Sequence, residues 1–147
     1  MKIKDVKIRK ATKKDKDRIL ELFNSDPNLT CNNELKHKEY HITEYLTNPL
    51  NKIFVVEEDK KVIGVILGQF WKKAKYVYLD DLIIDKKYRK RGIATKLIKH
   101  MEILAKKQGM NLIFGFSEVN NKKTHKLLRK LNYKKGKKFL FFSKELK

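Results

Sequence analysis

The spacing of hydrophobic residues changes along the chain between the two-residue period of strands and the three-to-four-residue period of helices. Alternation around Val6 and Ile8, together with several short apolar runs, predicts strands at residues 4–10, 53–56, 62–70, 76–84, 112–116 and 139–143. Helical spacing predicts one helix that begins at Thr12 and others at residues 34–46, 93–107 and 121–131. The resulting order, β-α-α-β-β-β-α-β-α-β, is typical of an α/β fold with a mixed central sheet flanked by helices.

The length and composition of the chain favour one domain. Its 147 residues are 41% hydrophobic, which is enough to bury a core. They contain no internal repeat and no linker rich in glycine, proline or serine. We therefore expect a single domain over residues 1–147.

The sequence lacks the marks of secreted, membrane-spanning and metal-binding proteins. It has no run of about 20 apolar residues, and no apolar stretch follows the charged first residues as in a secretory signal. Cys31 is the only cysteine, and no group of cysteines and histidines has the spacing of metal ligands. We expect a cytoplasmic protein without a membrane span, a disulfide or a metal.

The chain carries a formal net charge of +20, from 37 basic residues against 17 acidic ones. Nine lysines and arginines lie between positions 86 and 107, and nine more lie between 122 and 138. This charge has two interpretations. One is a solvated surface that only reflects composition, and the other is a surface for an anionic partner such as RNA or an acidic protein segment.

The sharpest local feature is the segment 89–94, which joins a predicted apolar strand to a predicted amphipathic helix. The first turn of a helix exposes backbone N–H groups and a partial positive charge, and it therefore binds phosphate. Gly92 would let the backbone approach the anion closely, and Ala94 would keep the first turn uncluttered. Formal charge is added by three side chains, those of Arg89, Lys90 and Arg91. The alternative is an ordinary basic loop in which Gly92 only forms a turn.

The Arg-x-x-Gly-x-Ala spacing of residues 89–94 resembles the signature of the GNAT superfamily of N-acetyltransferases. Residues 79–85 are similar to the family's splayed strand, residues 120–133 to its penultimate helix, and residues 141–146 to its last strand. The order of elements matches over nearly the whole chain. The resemblance implies a GNAT fold that uses acetyl-CoA as its co-substrate.

The resemblance also implies which residues hold acetyl-CoA. The backbone of one strand segment would hydrogen-bond the pantetheine arm as an added strand does, namely Leu82, Ile83 and Ile84. The loop and first helical turn would hold the pyrophosphate, through Arg89, Lys90, Arg91, Gly92, Ile93, Ala94 and Thr95. Asn121 would contact the far end of the arm.

Two carboxylates are the candidates for catalysis, because an acceptor amine must lose a proton before it attacks. Strand alternation would place Asp80 and Asp81 on opposite faces of the sheet. In many family members a carboxylate at the Asp80 position relays a proton through water, and the resemblance implies this role here. The other interpretation is that the pair ends a strand and only aids solubility.

One position departs from the family's pattern. Many members carry a tyrosine that protonates the departing thiolate, and Leu128 stands at that position here. His125, one helical turn earlier, is another candidate donor, and Tyr40 and His41 on the second predicted helix are weaker ones. The sequence leaves the identity of the donor open.

The reaction that the resemblance implies is direct attack of a primary amine on acetyl-CoA. A peptide or protein amine, the aminoacyl group of a charged tRNA and a small amine all stay open as the acceptor, and a homodimer stays open as well. Leu128 argues for an alternative function, a non-catalytic GNAT-fold module that binds nucleic acid or a protein partner. Such a module would not need the phosphate-binding segment 89–94.

Overall fold

The computed structural model describes residues 5–26 and 39–146. It contains two compact units, Met1–Phe116 and Ser117–Lys147, which we describe separately. Cys31, the first residue of the predicted strand at 4–10 and the first part of the helix predicted at 34–46 lie outside the described residues.

The first unit is built on a five-stranded sheet in which the strands follow their order in the chain. The strands are β1 (Lys7–Lys10), β2 (Asn51–Glu58), β3 (Lys61–Trp71), β4 (Tyr76–Ile84) and β5 (Leu112–Gly115). Neighbours from β1 to β4 pair antiparallel, whereas β4 and β5 are parallel. A parallel pair needs a crossover connection, which here contains a helix. The mixed α/β architecture expected from the sequence is confirmed.

The described helices of this unit agree with the predicted ones. They are α1 (Lys16–Asn24), α2 (Glu39–Thr47) and α3 (Ile93–Lys107), with single 3₁₀ turns at Lys13–Asp15 and Lys86–Tyr88. The Thr12 start signal is also confirmed, because the Asp15 side chain accepts a hydrogen bond from the Thr12 backbone N–H at 2.8 Å.

Apolar side chains pack on both faces of the sheet. On one face, Leu67 of β3 lies in a buried cluster with Ile19 of α1 and Ile42 of α2. On the other face, Gly68 lies against the Met101 side chain of α3. Successive residues of β3 therefore face different helices, which explains why this strand is a nearly continuous apolar run rather than an alternating one.

The second unit contains one helix among its described residues, α4 (Lys122–Lys130), close to the predicted bounds. The Asn121 side chain caps it by accepting a hydrogen bond from the Thr124 backbone N–H at 3.2 Å. The strand predicted at residues 139–143 is wrong, since no strand is assigned there. An apolar run favours a strand, but strand formation also depends on the tertiary context of the segment, which local hydrophobicity does not encode.

Candidate active site

Strand β4 carries a β-bulge at its centre. Asp81 pairs with Leu67, and Leu79 pairs with the next residue of β3, Gly68, so that Asp80 is an extra residue between the two pairs. A bulge leaves the extra residue unpaired and bends its strand, and it often re-aims a side chain next to an active site. The feature lies in the segment that the sequence predicts to be the splayed strand.

The bulge places both candidate carboxylates on the same face of the sheet. Asp81 lies opposite Leu67 and therefore shares the face that Leu67 presents to α1 and α2. Asp80 faces the same side, because its Oδ2 accepts a hydrogen bond from the Tyr45 hydroxyl of α2 at 2.5 Å. The prediction that the two side chains point to opposite faces is wrong, because strict alternation holds only in a regular strand.

Beyond the bulge, β4 has one free edge within the first unit. Its parallel pairing with β5 ends at Leu79 and Gly115, whereas its pairing with β3 continues to Ile84. Residues 80–84 are therefore bonded to a described strand on one side only. An edge of this kind presents N–H and C=O groups that an extended ligand can pair with.

The hydrogen-bond pattern between β3 and β4 determines which backbone groups of β4 face this free edge. The Asp85 N–H donates to the Ile63 carbonyl oxygen of β3 at 2.8 Å. Backbone groups alternate in direction along an antiparallel strand, so Ile83 also directs its groups toward β3. Leu82 and Ile84 direct theirs to the free edge, where the Ile84 carbonyl accepts a hydrogen bond from Arg89 Nε at 2.9 Å. Of the three predicted backbone contacts, Leu82 thus keeps both its groups available, Ile84 its N–H, and Ile83 neither.

Eight residues, 85–92, separate the end of β4 from the start of α3. Gly92 is its N-cap, with a φ of 73°, and the first helical hydrogen bond runs from the Lys96 N–H to the Gly92 oxygen at 3.1 Å. The N–H groups of Ile93, Ala94 and Thr95 precede that bond and have no partner within the helix. A Cβ built on Gly92 would meet no atom within 4 Å, so the approach to these donors is open.

The backbone of the same loop is unusual at a second position. Lys90 has a φ of 62°, in the left-handed region that a non-glycine residue rarely adopts. Left-handed residues near a helix start turn successive N–H groups toward one concave surface, which favours an anion. Main-chain geometry therefore adds to the positive potential that the basic side chains give this loop.

Two of the three basic side chains of the loop bind carboxylates of the protein instead of projecting freely. Arg89 Nη2 donates to Asp26 Oδ2 at 2.9 Å, and Arg91 Nη2 donates to Glu58 Oε1 at 2.6 Å. The hydrogen bond that Arg91 donates to Glu58 is the main cause that raises the pKa of Arg91. These pairs anchor the loop to the end of α1 and to β2, so the two arginines hold the loop in place.

The face of α2 toward β4 adds two polar side chains to the carboxylates. Tyr45 is buried, with 3% of its surface exposed, and its hydroxyl binds Asp80. His41 Nε2 lies 3.9 Å from the same Asp80 oxygen, and its ring packs on that of Tyr45 with centroids 5.4 Å apart. Burial and the negative charge of Asp80 raise the pKa of Tyr45, so that its hydroxyl stays a donor.

Sequence reasoning named His41 only as a weak candidate and missed Tyr45. Residues four apart share one face of a helix, so the spacing of His41 and Tyr45 was a usable signal. Nothing in that spacing indicated that β4 lies opposite this face.

The remaining predicted residues lie in the second unit. Asn121 uses its side-chain oxygen to cap α4, and His125 and Leu128 are members of that helix. Among the described residues, no group of three or more histidines, cysteines and acids could hold a metal ion. No helix in the described ranges is long and apolar enough to cross a membrane.

Comparison with known proteins places the same features in one family. The profile of the acetyltransferase (GNAT) family matches residues 16–133. The N-terminal acetyltransferase complex ARD1 subunit homolog of Dictyostelium discoideum is 37% identical over 78 residues, which are 52% of this chain and 38% of that protein. The matched segment thus spans less than two fifths of that relative.

Solved structures share the fold across almost the entire chain. A transcriptional regulator from Bacillus halodurans has a TM-score of 0.82 at 16% identity, covering 95% of this chain and 99% of the other. AAC(6')-Iy in complex with the bisubstrate analogue CoA-S-monomethyl-acetylneamine has a TM-score of 0.76 at 17% identity, covering 97% and 99%. At these identities the likeness concerns the fold. With the family profile matching 16–133, the bulged β4 and the open N-terminus of α3, the chain belongs to the acetyltransferase (GNAT) family.

Proposed function

We propose that this protein is an acetyl-CoA-dependent N-acetyltransferase that acts by direct attack of a primary amine on the thioester. The observation that carries the proposal is the free edge of β4 at residues 80–84, which leads directly into the open N-terminus of α3. The free edge suits an extended arm that contains amides, and the helix N-terminus suits a pyrophosphate.

The residues present fit acetyl-CoA. The C=O of Leu82 and the N–H of Ile84 would pair with the amides of the pantetheine arm, as an added strand does. The N–H groups of Ile93, Ala94 and Thr95 would hold the pyrophosphate, and the missing side chain of Gly92 leaves room for it. Acetyl-CoA supplies the activated acetyl group, a thioester with a stable thiolate as its leaving group.

The two carboxylates at the bulge would attract the acceptor. Asp80 and Asp81 share the α2 face of the sheet at the start of the free edge, in a chain whose net charge is +20. A pair of acids in such a chain gives a local negative potential that binds an ammonium group. The Leu82 N–H at the free edge would stabilise the charge that develops on the acetyl oxygen during attack.

The similar proteins support an amine acceptor and suggest two kinds. One is named as a subunit of an N-terminal acetyltransferase complex, and a set of structural neighbours are aminoglycoside acetyltransferases. A peptide N-terminus and a small amine are thus the first acceptors to test.

Calorimetric titration with acetyl-CoA tests the binding half of the proposal. We expect the wild type to bind and Gly92→Asp to show no measurable binding, since the substitution puts a side chain and a negative charge where the pyrophosphate would lie. Gly109→Asp is the matched control. Gly109 also has a left-handed φ, 76°, and open space around it, but it follows the opposite end of α3.

The titration has two results that would count against the proposal. If the wild type binds no acetyl-CoA, the proposed function is wrong. If Gly109→Asp loses binding together with Gly92→Asp, the loss reflects backbone strain or general repulsion rather than a pyrophosphate site. If the protein binds acetyl-CoA but releases no CoA in the presence of any amine tested, the result would favour the non-catalytic module for which Leu128 argues.

A further inference from the structure

Three aromatic rings lie in a row across neighbouring strands of the first unit. Trp71 ends β3, Tyr76 begins β4, and Phe114 belongs to β5. The ring centroids of Trp71 and Tyr76 are 5.2 Å apart, and those of Tyr76 and Phe114 are 5.4 Å apart. Aromatic contacts at these distances hold neighbouring rings in preferred orientations. We call these three residues the aromatic row.

The pairing of the strands places the row on one face of the sheet. Trp71 and Tyr76 pair directly across the hairpin of β3 and β4. Phe114 pairs with Tyr78, which lies two residues after Tyr76 and therefore shares its face. The row is accessible to solvent, because 51% of the Trp71 surface is exposed and the other two rings are only partly buried.

A basic turn joins the first two members of the row. Three of its four residues are exposed lysines, namely Lys72, Lys73 and Lys75. The Lys75 carbonyl accepts a hydrogen bond from the Asn111 N–H at 2.7 Å, which fixes the turn beside the start of β5. No acid occurs from residue 61 to residue 79, so no carboxylate of this hairpin offsets the charge of the three lysines. We call residues 72–75 the basic turn.

Other lysines add to the positive potential of the basic turn. Burial is the main cause that lowers the pKa of Lys52 on β2, and the positive charges of Lys10 and Lys72 lower it further. These lysines therefore disfavour one another's charged forms. A bound anion would relieve the repulsion, because an opposite charge favours the charged form of a lysine.

Aromatic faces beside positive charges suit one class of polymer. The bases of a single strand stack on aromatic side chains, and its phosphates bind lysines. Aromatic residues on an open sheet are a common platform for this recognition, and the hydroxyl of Tyr76 can bond the 2′-hydroxyl that distinguishes RNA from DNA. We propose that the aromatic row and the basic turn form a binding surface for single-stranded RNA.

This surface lies on the face of the sheet that carries the proposed acceptor site. Leu67 precedes Trp71 by four residues in β3 and pairs with Asp81, so strand alternation places all three side chains on that face. Four strand residues span roughly 13 Å. Binding of RNA at the row does not require acetyl-CoA, so the inference goes beyond the proposed function and stands apart from it.

The fluorescence of Trp71 reports directly on the surface, because it is the only tryptophan of the chain. The wild type would be titrated, without acetyl-CoA, with a single-stranded oligoadenylate of about eight nucleotides. We expect saturable quenching of the tryptophan fluorescence, because a base would stack on the indole ring. Polyglutamate and a base-free phosphodiester of matched length carry the charge without a base and should leave the fluorescence unchanged.

Phe114→Leu tests the stacking contribution, since it keeps an apolar side chain and the reporter tryptophan. We expect the Kd for oligoadenylate to rise about 5–150-fold, the usual worth of one stacked base, while the circular dichroism spectrum stays that of the wild type. Tyr40→Leu is the control, because it removes an aromatic ring of α2 that is 69% exposed and lies outside the row. It should bind as the wild type does.

Lys75→Gln tests the phosphate contacts at an exposed position. Each phosphate that a protein neutralises on a single strand contributes about 0.7 to the slope of log K against log salt concentration. We expect the variant to reduce the slope by about that amount. Lys60→Gln is the matched control, because Lys60 is also exposed in a turn and has a left-handed φ, 64° against 57° for Lys75, but it precedes β3 instead of following it.

Several results would overturn the proposal. Unchanged tryptophan fluorescence with oligoadenylate would exclude stacking on the row. Quenching by polyglutamate, or wild-type affinity in Phe114→Leu, would indicate a surface for an acidic peptide instead. An equal Kd for oligodeoxyadenylate would exclude a preference for RNA, and equal salt slopes for Lys75→Gln and Lys60→Gln would exclude the basic turn. The titration with acetyl-CoA is independent of all these measurements, so failure of this inference and failure of the proposed function are distinguishable.

Discussion

At the scale of single residues, the position of one carboxylate depends on a bulge. Asp80 would lie on the other face of the sheet in a regular strand, away from α2. As the extra residue of β4 it instead meets Tyr45, 35 positions earlier in the chain. The Tyr45–Asp80 hydrogen bond depends on that local irregularity, because it requires the two side chains to lie on the same face of the sheet.

Substitution of Asp80 by asparagine should affect catalysis more than binding. Asp80→Asn keeps an oxygen for the Tyr45 hydroxyl but removes the negative charge that the expected proton relay requires. We expect kcat for a protonated amine to fall by about 10²–10⁴-fold, while the Kd for acetyl-CoA from titration changes little. If Asp80→Asn turns over at the wild-type rate from about pH 6 to 9, Asp80 takes no part in proton transfer. Asp81→Asn then becomes the decisive variant.

At the scale of elements, the separation of β4 from β5 creates the free edge. The two strands stay paired up to Leu79 and Gly115, where they come very close. A Cβ built on Gly115 would lie 3.0 Å from the Leu79 carbonyl oxygen and 3.5 Å from Leu79 Cβ. The last parallel pair thus depends on a residue without a side chain, at the point where the strands part.

Gly115→Ala should destabilise the fold for this reason. The methyl group would push against backbone of β4, which cannot move aside as a flexible side chain can, so we expect a loss of about 1–3 kcal/mol in the free energy of unfolding. For a chain of this size that loss lowers Tm by roughly 2–4 °C per kcal/mol. Gly136→Ala is the control, because a Cβ there meets no atom within 4 Å. Equal Tm values for Gly115→Ala and Gly136→Ala would show that the close approach of Gly115 to Leu79 does not limit the stability of the fold.

At the scale of the whole molecule, basic residues outnumber acidic ones, so each ion pair that a carboxylate forms contributes to the stability of the fold. Arg9 of β1 binds Asp15 through both Nη atoms, at 2.8 and 2.9 Å, and also binds Glu57 of β2 at 2.8 Å. The group ties the start of α1 to the edge of the sheet. The hydrogen bonds from Arg9 are the main cause that lowers the pKa of Asp15 below its ordinary value.

This lowered pKa predicts a loss of stability in acid. A carboxyl whose pKa is lower in the folded state stabilises the fold fully above its unfolded pKa, about 3.9 for aspartate, and loses that contribution as pH falls through the folded value. We expect the wild-type free energy of unfolding, from denaturant titrations, to decrease below about pH 4. Asp15→Asn should be less stable than wild type at neutral pH, and the difference should shrink in acid. Asp17→Asn, at an exposed position of α1, should follow the wild type throughout. A constant difference at every pH would mean that Asp15 acts through packing rather than through its charge.

Local signals were enough to predict much of the fold and part of the site. The apolar period of α3, its start at Gly92 and the apolar run of β4 are properties of neighbouring residues, so the sequence by itself determined that a helix N-terminus follows an apolar strand. A glycine at that position is also informative locally, because its left-handed φ is one that other residues rarely adopt.

Only the tertiary structure decided which side chains meet. The sequence predicted Arg89 and Arg91 as phosphate contacts, yet carboxylates 63 and 33 positions away bind them. Tyr45 and Asp80 are similarly distant, and the bulge that turns Asp80 toward α2 arises from the register between β3 and β4. No strand is assigned at 139–143, where the apolar run predicted one, because strand formation depends on tertiary context as well as on local hydrophobicity. Local periodicity determines helices and the faces of regular strands, whereas pairing register and long-range contacts are set by how the elements pack, and the catalytic geometry belongs to the second kind.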